Sequence, residues 1–122
     1  MRALVVDDSR PIRRIEGEIL SELGFDTCDA CNGQEALDRL QDGPKPDVIL
    51  VDWNMPVMDG LEFVKKVRRD ERYSGMIIVM VTTETEPDQM LRALTAGADE
   101  YLMKPFAKDG LVDKLRLVGV VQ

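Results

Sequence analysis

The sequence contains no histidine, and this absence excludes a large part of enzyme chemistry. Without an imidazole, the chain cannot form a nucleophile triad that relies on a histidine base. Most catalytic zinc sites also need imidazole ligands, so most zinc hydrolases are excluded as well. Any chemistry in this protein must therefore use carboxylates, hydroxyls, amines or thiols.

Cysteine is scarce: the chain has only Cys28 and Cys31, spaced as C-x-x-C. This spacing occurs in redox pairs and in half of a metal site, and a thioredoxin-type redox pair would need a helix that begins at the first of these cysteines. The surrounding residues instead favour a short strand that runs into a turn at Asn32 and Gly33. Because residues three apart on a strand point to opposite faces, we expect two separate thiols.

Long apolar runs are absent too, which argues against a membrane-spanning helix. The 122 residues suffice to bury a core, and we expect a single domain over residues 1–122. Sixteen basic and 23 acidic residues give a net charge of −7, which opposes binding to nucleic acid or anionic lipid. We therefore expect a cytoplasmic protein that binds neither nucleic acid nor membranes.

Short apolar runs alternate with segments of helical period. Near-continuous apolar runs at residues 4–6, 48–51 and 76–81 are typical of parallel strands that are buried on both faces. Weaker strand patterns occur at residues 27–31 and 100–103. With a helical segment after each strand, the pattern predicts an α/β protein with a (βα)₅ doubly wound, five-stranded parallel sheet.

The helices are predicted at residues 11–23, 34–40, 61–69, 87–96 and from 108 onwards. Ser9 can cap the first helix, Pro11 suits its first turn, and Gly24 can end it. Apolar periodicity predicts which faces are buried. These predicted buried residues include Ile12, Ile15, Ile19 and Leu23 in the first helix, and Met90, Leu91 and Leu94 in the fourth.

Polar residues stand at the carboxyl end of four predicted strands. In a doubly wound sheet, ligands bind beyond these ends, near the switch in strand order. Three carboxylates, a hydroxyl and an ammonium group are therefore expected at one rim. The residues concerned are Asp7 and Asp8 after the first strand, Asp52 after the third, Thr82 and Thr83 after the fourth, and Lys104 after the fifth.

The three clustered carboxylates would repel one another unless a cation joined them. An oxygen-only cluster suits Mg²⁺ better than zinc or copper. Asp52 is the candidate nucleophile, because it follows a buried strand and a carboxylate can accept a phosphoryl group as an acyl phosphate. Lys104 can supply positive charge to that phosphoryl group, and Thr82 can supply a hydroxyl donor.

Four separated motifs resemble the signature of the response-regulator receiver domain. They are VVDDS at 5–9, DWNMP at 52–56 with MDG at 58–60, MVT at 80–82 and KPF at 104–106. The resemblance covers nearly the whole chain and is strongest to the stand-alone chemotaxis type. It implies a flavodoxin-like sheet of strand order 2-1-3-4-5, and this order rests on the resemblance alone.

The resemblance assigns a role to each residue of the rim. Asp52 would be the phosphoacceptor. Asp8, Asp52 and the backbone carbonyl of Asn54 would bind Mg²⁺ directly, and Asp7 would act largely through water. These assignments are what the family implies for the matching positions.

Two further residues would act as the switch. Thr82 would bond a phosphoryl oxygen while Lys104 pairs with it, and Tyr101 would be the aromatic that swings inward in response. The alternative for Tyr101 is an ordinary strand tyrosine with its hydroxyl in solvent. The family also implies a cis peptide before Pro105.

The resemblance also implies a set of partners and a mode of action. The protein would be a monomeric switch that promotes its own phosphorylation and dephosphorylation, and would not turn over a separate substrate. A histidine kinase or phosphotransfer protein would donate the phosphoryl group from phosphohistidine. The phosphorylated form would bind a downstream protein target, such as the flagellar motor switch in chemotaxis, and a phosphatase would be a further partner.

The chain departs from the common receiver pattern at several positions. Thr83 stands where many receivers have alanine, so access to the acceptor is expected to be narrower. Ala107 stands where a serine or threonine cap is common, so the last helix is expected to start loosely. Asn54 and Glu84 flank the site, and they either tune the acyl-phosphate lifetime or form a solvated rim.

Three alternatives remain at this point. The same motifs would occur in a receiver domain cut from a longer regulator. A phosphohydrolase of the haloacid-dehalogenase type would need an acid two residues after the nucleophile, where Asn54 cannot donate a proton. A flavin-binding domain would need a phosphate loop after the first strand, where Asp7 and Asp8 would repel phosphate.

Overall fold

The computed structural model describes residues 1–83 and 87–121, and its strands form one parallel sheet. The sheet has the order β2-β1-β3-β4-β5, which confirms the predicted fold class and strand order. The strands are β1 (Arg2–Val6), β2 (Asp26–Ala30), β3 (Val48–Asp52), β4 (Ile77–Thr82) and β5 (Glu100–Met103).

Each strand is followed by a helix, and the predicted helices are confirmed with small shifts at their ends. The helices are α1 (Arg10–Glu22), α2 (Gly33–Asp42), α3 (Gly60–Arg68), α4 (Pro87–Ala96) and α5 (Lys108–Leu117). A short 3₁₀ turn at Glu71–Tyr73 was not predicted. None of the helices in the described ranges is long and apolar enough to cross a membrane.

Helix caps explain where several helices begin. The side chains of Ser9, Asn32 and Asp59 accept hydrogen bonds from backbone N–H groups in the first turns of α1, α2 and α3. At the start of α5, Ala107 offers no such bond, in agreement with the expectation from its side chain. Among the helix starts that the structure describes, three are thus capped by a side chain and that of α5 is not.

The sheet is covered on both faces, and its central strand β3 is buried along its whole length. One face packs against α2, α3 and α4, with Phe63, Val64 and Ala93 among the buried residues. The other face packs against α1 and α5 through Leu20, Leu111 and Leu115. This double burial explains why the strands read as continuous apolar runs.

The predicted buried faces of two helices are wrong in part. In α1, Ile15 is 51% exposed, whereas Glu16 and Leu20 are buried. In α4, Leu91 and Leu94 are 64% and 45% exposed, whereas Ala93 is buried and Met90 packs against the core. A hydropathy pattern places the buried stripe at the apolar positions, and it misplaces the stripe when a carboxyl occupies a buried position.

Candidate functional site

The carboxylates predicted at the strand ends lie together. Oxygen atoms of Asp7, Asp8 and Asp52 are all within 4.8 Å of one another. Strands β1 and β3 are neighbours in register, with Val6 opposite Val51, and this pairing places the residues that follow them side by side. Asp7 is 1% exposed and Asp52 is 6% exposed, while Asp8 faces solvent.

Lys104 provides the positive charge of the cluster. Its Nζ donates to Oδ2 of Asp7 at 2.6 Å and lies 3.4 Å from Oδ1 of Asp52. Its backbone N–H donates to the carbonyl of Thr82 at 2.8 Å, which ties the ends of β4 and β5 together. The Lys104–Pro105 peptide is cis, as the family resemblance implied.

The electrostatics of the cluster shift the pKa values of two groups. Burial and the charge of Asp7 raise the pKa of Asp52 to about 6, although Lys104 opposes this shift. Burial alone would lower the pKa of Lys104, but its hydrogen bond to Asp7 and the charge of Asp52 outweigh burial and raise it. One ammonium group therefore does not balance the surrounding carboxylates.

Asp7 is held firmly in position. Its Oδ1 accepts from the backbone N–H of Ser9 at 2.8 Å, and its backbone carbonyl accepts from Nη1 of Arg13 at 2.7 Å. Together with the bond from Lys104, these contacts fix both the side chain and the backbone at the end of β1. The carboxylate geometry of the rim is thus set before any ligand arrives.

The loop after Asp52 is shaped by backbone contacts. Gly60 donates its N–H to the carbonyl of Trp53 at 2.8 Å, and a Cβ at Gly60 would collide with the carbonyl oxygen of Asp52. Val57 has a φ of 69°, a conformation uncommon for a β-branched residue. The turn therefore holds Asp52 against the rim, and Asn54 is exposed beside it.

The residues of the predicted switch lie on β4 and β5. Thr82 is fully buried and Thr83 is exposed. Tyr101 is 2% exposed and packs in the core cluster on the α2–α4 side of the sheet, so its side chain does not project into solvent. Glu84, the other predicted flanking residue, lies outside the described residues.

The donor set of the rim fits Mg²⁺. It consists of hard carboxylate oxygens, and it carries more negative charge than Lys104 neutralises. Asp8 is exposed, and so is Asn54, whose carbonyl the resemblance assigned to the metal. A divalent cation with several retained waters would match this open, oxygen-only arrangement.

Sequence reasoning missed Glu16, a buried carboxyl behind the rim. It is 1% exposed, and in the part of the chain that the structure describes its Oε1 has no hydrogen-bond partner. Burial, followed by the charge of Asp7, raises the pKa of Glu16 to about 8. The only available signal was its spacing of four residues from the buried Leu20.

The two cysteines are free thiols, which confirms the prediction of separate groups. Sγ of Cys28 lies 3.8 Å from the carbonyl oxygen of Ala3, whereas Sγ of Cys31 donates to Oε2 of Glu35 at 3.0 Å. The hydrogen bond to Glu35 raises the pKa of Cys31, so this thiol is less reactive than an ordinary one.

Comparisons with known proteins agree with this geometry. The family model of the response regulator receiver domain matches residues 3–116. The chemotaxis protein CheY1 of Helicobacter pylori is 44% identical over 119 residues, covering 97% of this chain and 96% of the relative. A chemotaxis protein CheY homolog of Campylobacter jejuni is 47% identical over 116 residues, covering 94% and 89% respectively.

Solved structures of response regulators also resemble this chain. The chemotaxis response regulator CheY4 of Vibrio cholerae superposes with a TM-score of 0.90 at 41% sequence identity, covering 96% of this chain and 97% of that one. A receiver domain protein of Methanospirillum hungatei superposes with a TM-score of 0.86 at 30% identity, covering 96% and 91%. The chain belongs to the response regulator receiver domain family.

Proposed function

We propose that this chain, as a single receiver domain, is a phosphorylation-dependent switch in which Asp52 accepts a phosphoryl group from a phosphohistidine on a partner protein. The observation that supports this proposal most is the position of Asp52 within the rim. Its carboxylate lies beside those of Asp7 and Asp8, and 3.4 Å from Nζ of Lys104.

In the proposed transfer, a carboxylate oxygen of Asp52 forms a bond to phosphorus while the bond between phosphorus and the partner's imidazole nitrogen breaks. The electron pair of the broken bond remains on the imidazole. Asp8, Asp52 and the carbonyl of Asn54 would hold Mg²⁺, with Asp7 bound through water. When bound, Mg²⁺ supplies positive charge to the phosphoryl oxygens.

Lys104 has a second task in this proposal. In the unphosphorylated protein its ammonium group is shared between Asp7 and Asp52. The new phosphoryl group would be a stronger acceptor with more negative charge, so Lys104 would turn towards it. The domain would thereby promote its own phosphorylation, and later its dephosphorylation by water, without turning over a separate substrate.

The response to phosphorylation would pass through Thr82 and Tyr101. The hydroxyl of Thr82 would bond a phosphoryl oxygen, and Tyr101, which is buried in this structure, would be held in that inward position on the next strand. Strand β5 and its neighbours α4 and α5 would present a changed surface. Binding of a target would then select the phosphorylated state by population shift.

The partners follow from the relatives named above. Their names describe chemotaxis proteins, so we propose a histidine kinase or phosphotransfer protein as donor and the flagellar motor switch as target. A phosphatase would shorten the signal. A monomeric, cytoplasmic protein would suit such a messenger.

Incubation with Mg²⁺ and a small acyl phosphate, followed by intact mass measurement, tests the acceptor. The native chain should gain the mass of one phosphoryl group, Asp52→Asn should gain none, and the exposed control Asp38→Asn should behave as the native chain does. Equal labelling of Asp52→Asn would refute the proposal. Sustained phosphate release from a simple phosphate ester would instead favour the phosphohydrolase alternative.

A further inference from the structure

A basic groove lies between α3 and α4, although the chain as a whole carries a net charge of −7. The groove has a volume of about 560 Å³. Its basic lining residues are Lys65, Arg68, Arg69 and Arg92. Four of the sixteen basic residues thus meet in one groove, on the side of α4 that faces α3.

Arg68 is already occupied by the fold. Its guanidinium donates to the carbonyls of Gly97, Tyr73 and Met76, and to Oδ2 of Asp99 at 2.8 Å. These bonds fasten the end of α3 to the loops before β4 and β5. The role of Arg68 is therefore structural, and the charge it adds to the groove is balanced by Asp99.

The other three cations are available to a ligand. In residues 1–83 and 87–121, no carboxylate lies within the 4.0 Å ion-pair distance of Lys65, Arg69 or Arg92. All three are exposed, and Arg92 makes only a 3.4 Å bond to the side chain of Gln89 besides its contact with Trp53. Three cations thus line the groove, and in the described residues none of them is in an ion pair.

The groove also has an apolar wall. Leu91 lines it and is 64% exposed, a large fraction for a leucine on a helix that packs against a sheet. A ligand that matches this surface needs carboxylates for the cations and an apolar side chain for Leu91. Long polyanions such as nucleic acid would extend beyond the groove onto a surface of net negative charge.

We propose that the α3–α4 groove binds an acidic amphipathic helix of a partner protein. Its glutamates or aspartates would pair with Lys65, Arg69 and Arg92, and its apolar face would cover Leu91. This surface is separate from the phosphoacceptor rim, so the inference goes beyond the proposed function and can be tested on the unphosphorylated protein.

One contact makes such binding observable. The guanidinium carbon of Arg92 lies 6.0 Å from the centre of the Trp53 ring, which is the only tryptophan in the chain. A carboxylate that draws Arg92 into the groove would change the surroundings of that ring. Tryptophan fluorescence should therefore report occupation of the groove directly.

The test uses a synthetic helical peptide of about 15 residues with leucine and glutamate at helical spacing. At low ionic strength it should change Trp53 fluorescence saturably and shift the amide resonances of α3 and α4. The double variant Lys65→Gln/Arg69→Gln should weaken binding about tenfold. The matched double variant Lys45→Gln/Lys66→Gln removes two exposed charges outside the groove, and it should weaken binding less than about twofold.

Several results would overturn the inference. Absence of saturable binding, or resonance shifts that map away from α3 and α4, would remove the site. An equal loss in the two double variants would show attraction to overall charge alone. If tripolyphosphate, which has no apolar face, competes with the peptide and Leu91→Ala has no effect on peptide affinity, the groove is a simple anion site. All variants carry changes at exposed positions, and thermal unfolding checks their folding.

Discussion

The rim at the strand ends and the inner face of α1 both bury carboxyl groups, but Lys104 forms ion pairs only with those of the rim in the described residues. At the rim, Asp7 and Asp52 share the ammonium group of Lys104 at 2.6 and 3.4 Å. Behind it, Glu16 is as buried as Asp7, and in the described part of the chain its Oε1 has no hydrogen-bond partner. At both carboxyls burial is the main cause of the raised pKa, and at Asp52 the charge and hydrogen bond of Lys104 offset part of it.

The pKa values express this difference. Asp52, buried and close to Lys104, has its pKa raised to about 6. Glu16 feels the charge of Lys104 without a hydrogen bond to it, and burial raises its pKa to about 8, so it carries its proton at neutral pH. The rim is thus a charged site ready for a cation, whereas the inner face of α1 holds a neutral carboxyl that destabilises the fold when it ionises.

The largest effect is expected for Glu16→Leu, which replaces the unpaired carboxyl by an apolar side chain. As pH rises from 4.5 to 8, the unfolded chain releases the Glu16 proton while the folded chain retains it. The free energy of unfolding therefore falls with rising pH, by about 1.4 kcal/mol per unit at most. The variant should lack the contribution of Glu16 to this slope and keep that of Asp52 below about pH 6, so it should be more stable than the native chain by about 3 kcal/mol near pH 8.

Urea denaturation with a chelator present, at several pH values between 4.5 and 8, measures this difference. Glu18→Gln is the matched control, because Glu18 is exposed on the same helix and pairs only with Arg14. Its stability should follow the native pH dependence. A Glu16→Leu variant with the native slope would show that Glu16 ionises normally in the folded protein, and the comparison with the rim would fail.

The next effect, of opposite sign, is expected for Lys104→Met. This change leaves Asp7 and Asp52 without their ammonium partner, so the rim would come to resemble the surroundings of Glu16. Without metal, we expect a loss of about 2 kcal/mol, between the values for exposed and fully buried pairs. Added Mg²⁺ should stabilise the variant more than the native chain. Without Lys104, the carboxylates of Asp7 and Asp52 are not neutralised by an ammonium group, so they should bind the cation more tightly.

Chemical denaturation with and without Mg²⁺ measures both parts of this prediction. Lys108→Met is the control, because Lys108 pairs with Glu22 at the surface, away from the rim. It should change stability by less than about 1 kcal/mol and leave the effect of Mg²⁺ unaltered. If Lys104→Met were harmless without metal, Lys104 would not be the counter-charge that distinguishes the rim.

The same contrast explains what the sequence could predict. The rim was predictable because parallel strands end at one edge, so Asp7, Asp52 and Lys104 had to meet once the strands were assigned. Glu16 was not predictable, because hydropathy marks a carboxyl as exposed and points to Ile15 as its buried neighbour. Glu16 is buried as a neutral carboxylic acid, whereas a hydropathy scale scores every glutamate as a charged residue.

Helix α4 illustrates the same limit at the surface. Its leucines suggested a buried face, yet α4 packs through the small side chain of Ala93 and leaves Leu91 and Leu94 exposed. Periodicity identifies an apolar stripe on a helix, but it does not show whether that stripe is buried in the core or exposed at the surface. The short 3₁₀ turn before β4 was missed because it is held by local hydrogen bonds that hydropathy does not reveal, such as those from the backbone of Arg72 and Tyr73 to Asp70.

The smallest effect is expected for Ala107→Ser, which changes no charge. Ala107 has an extended backbone at the start of α5 and offers no side-chain cap, whereas a serine oxygen can accept from a backbone N–H group of the first turn. We expect a gain of about 0.5–1 kcal/mol in the free energy of unfolding, with Ala107→Gly gaining less than serine. Because no ionisable group is involved, the gain should be the same across the pH range and with or without Mg²⁺. A gain that varied with either would mean that the start of α5 is coupled to Lys104, three residues away, and that the rim extends further than the carboxylates.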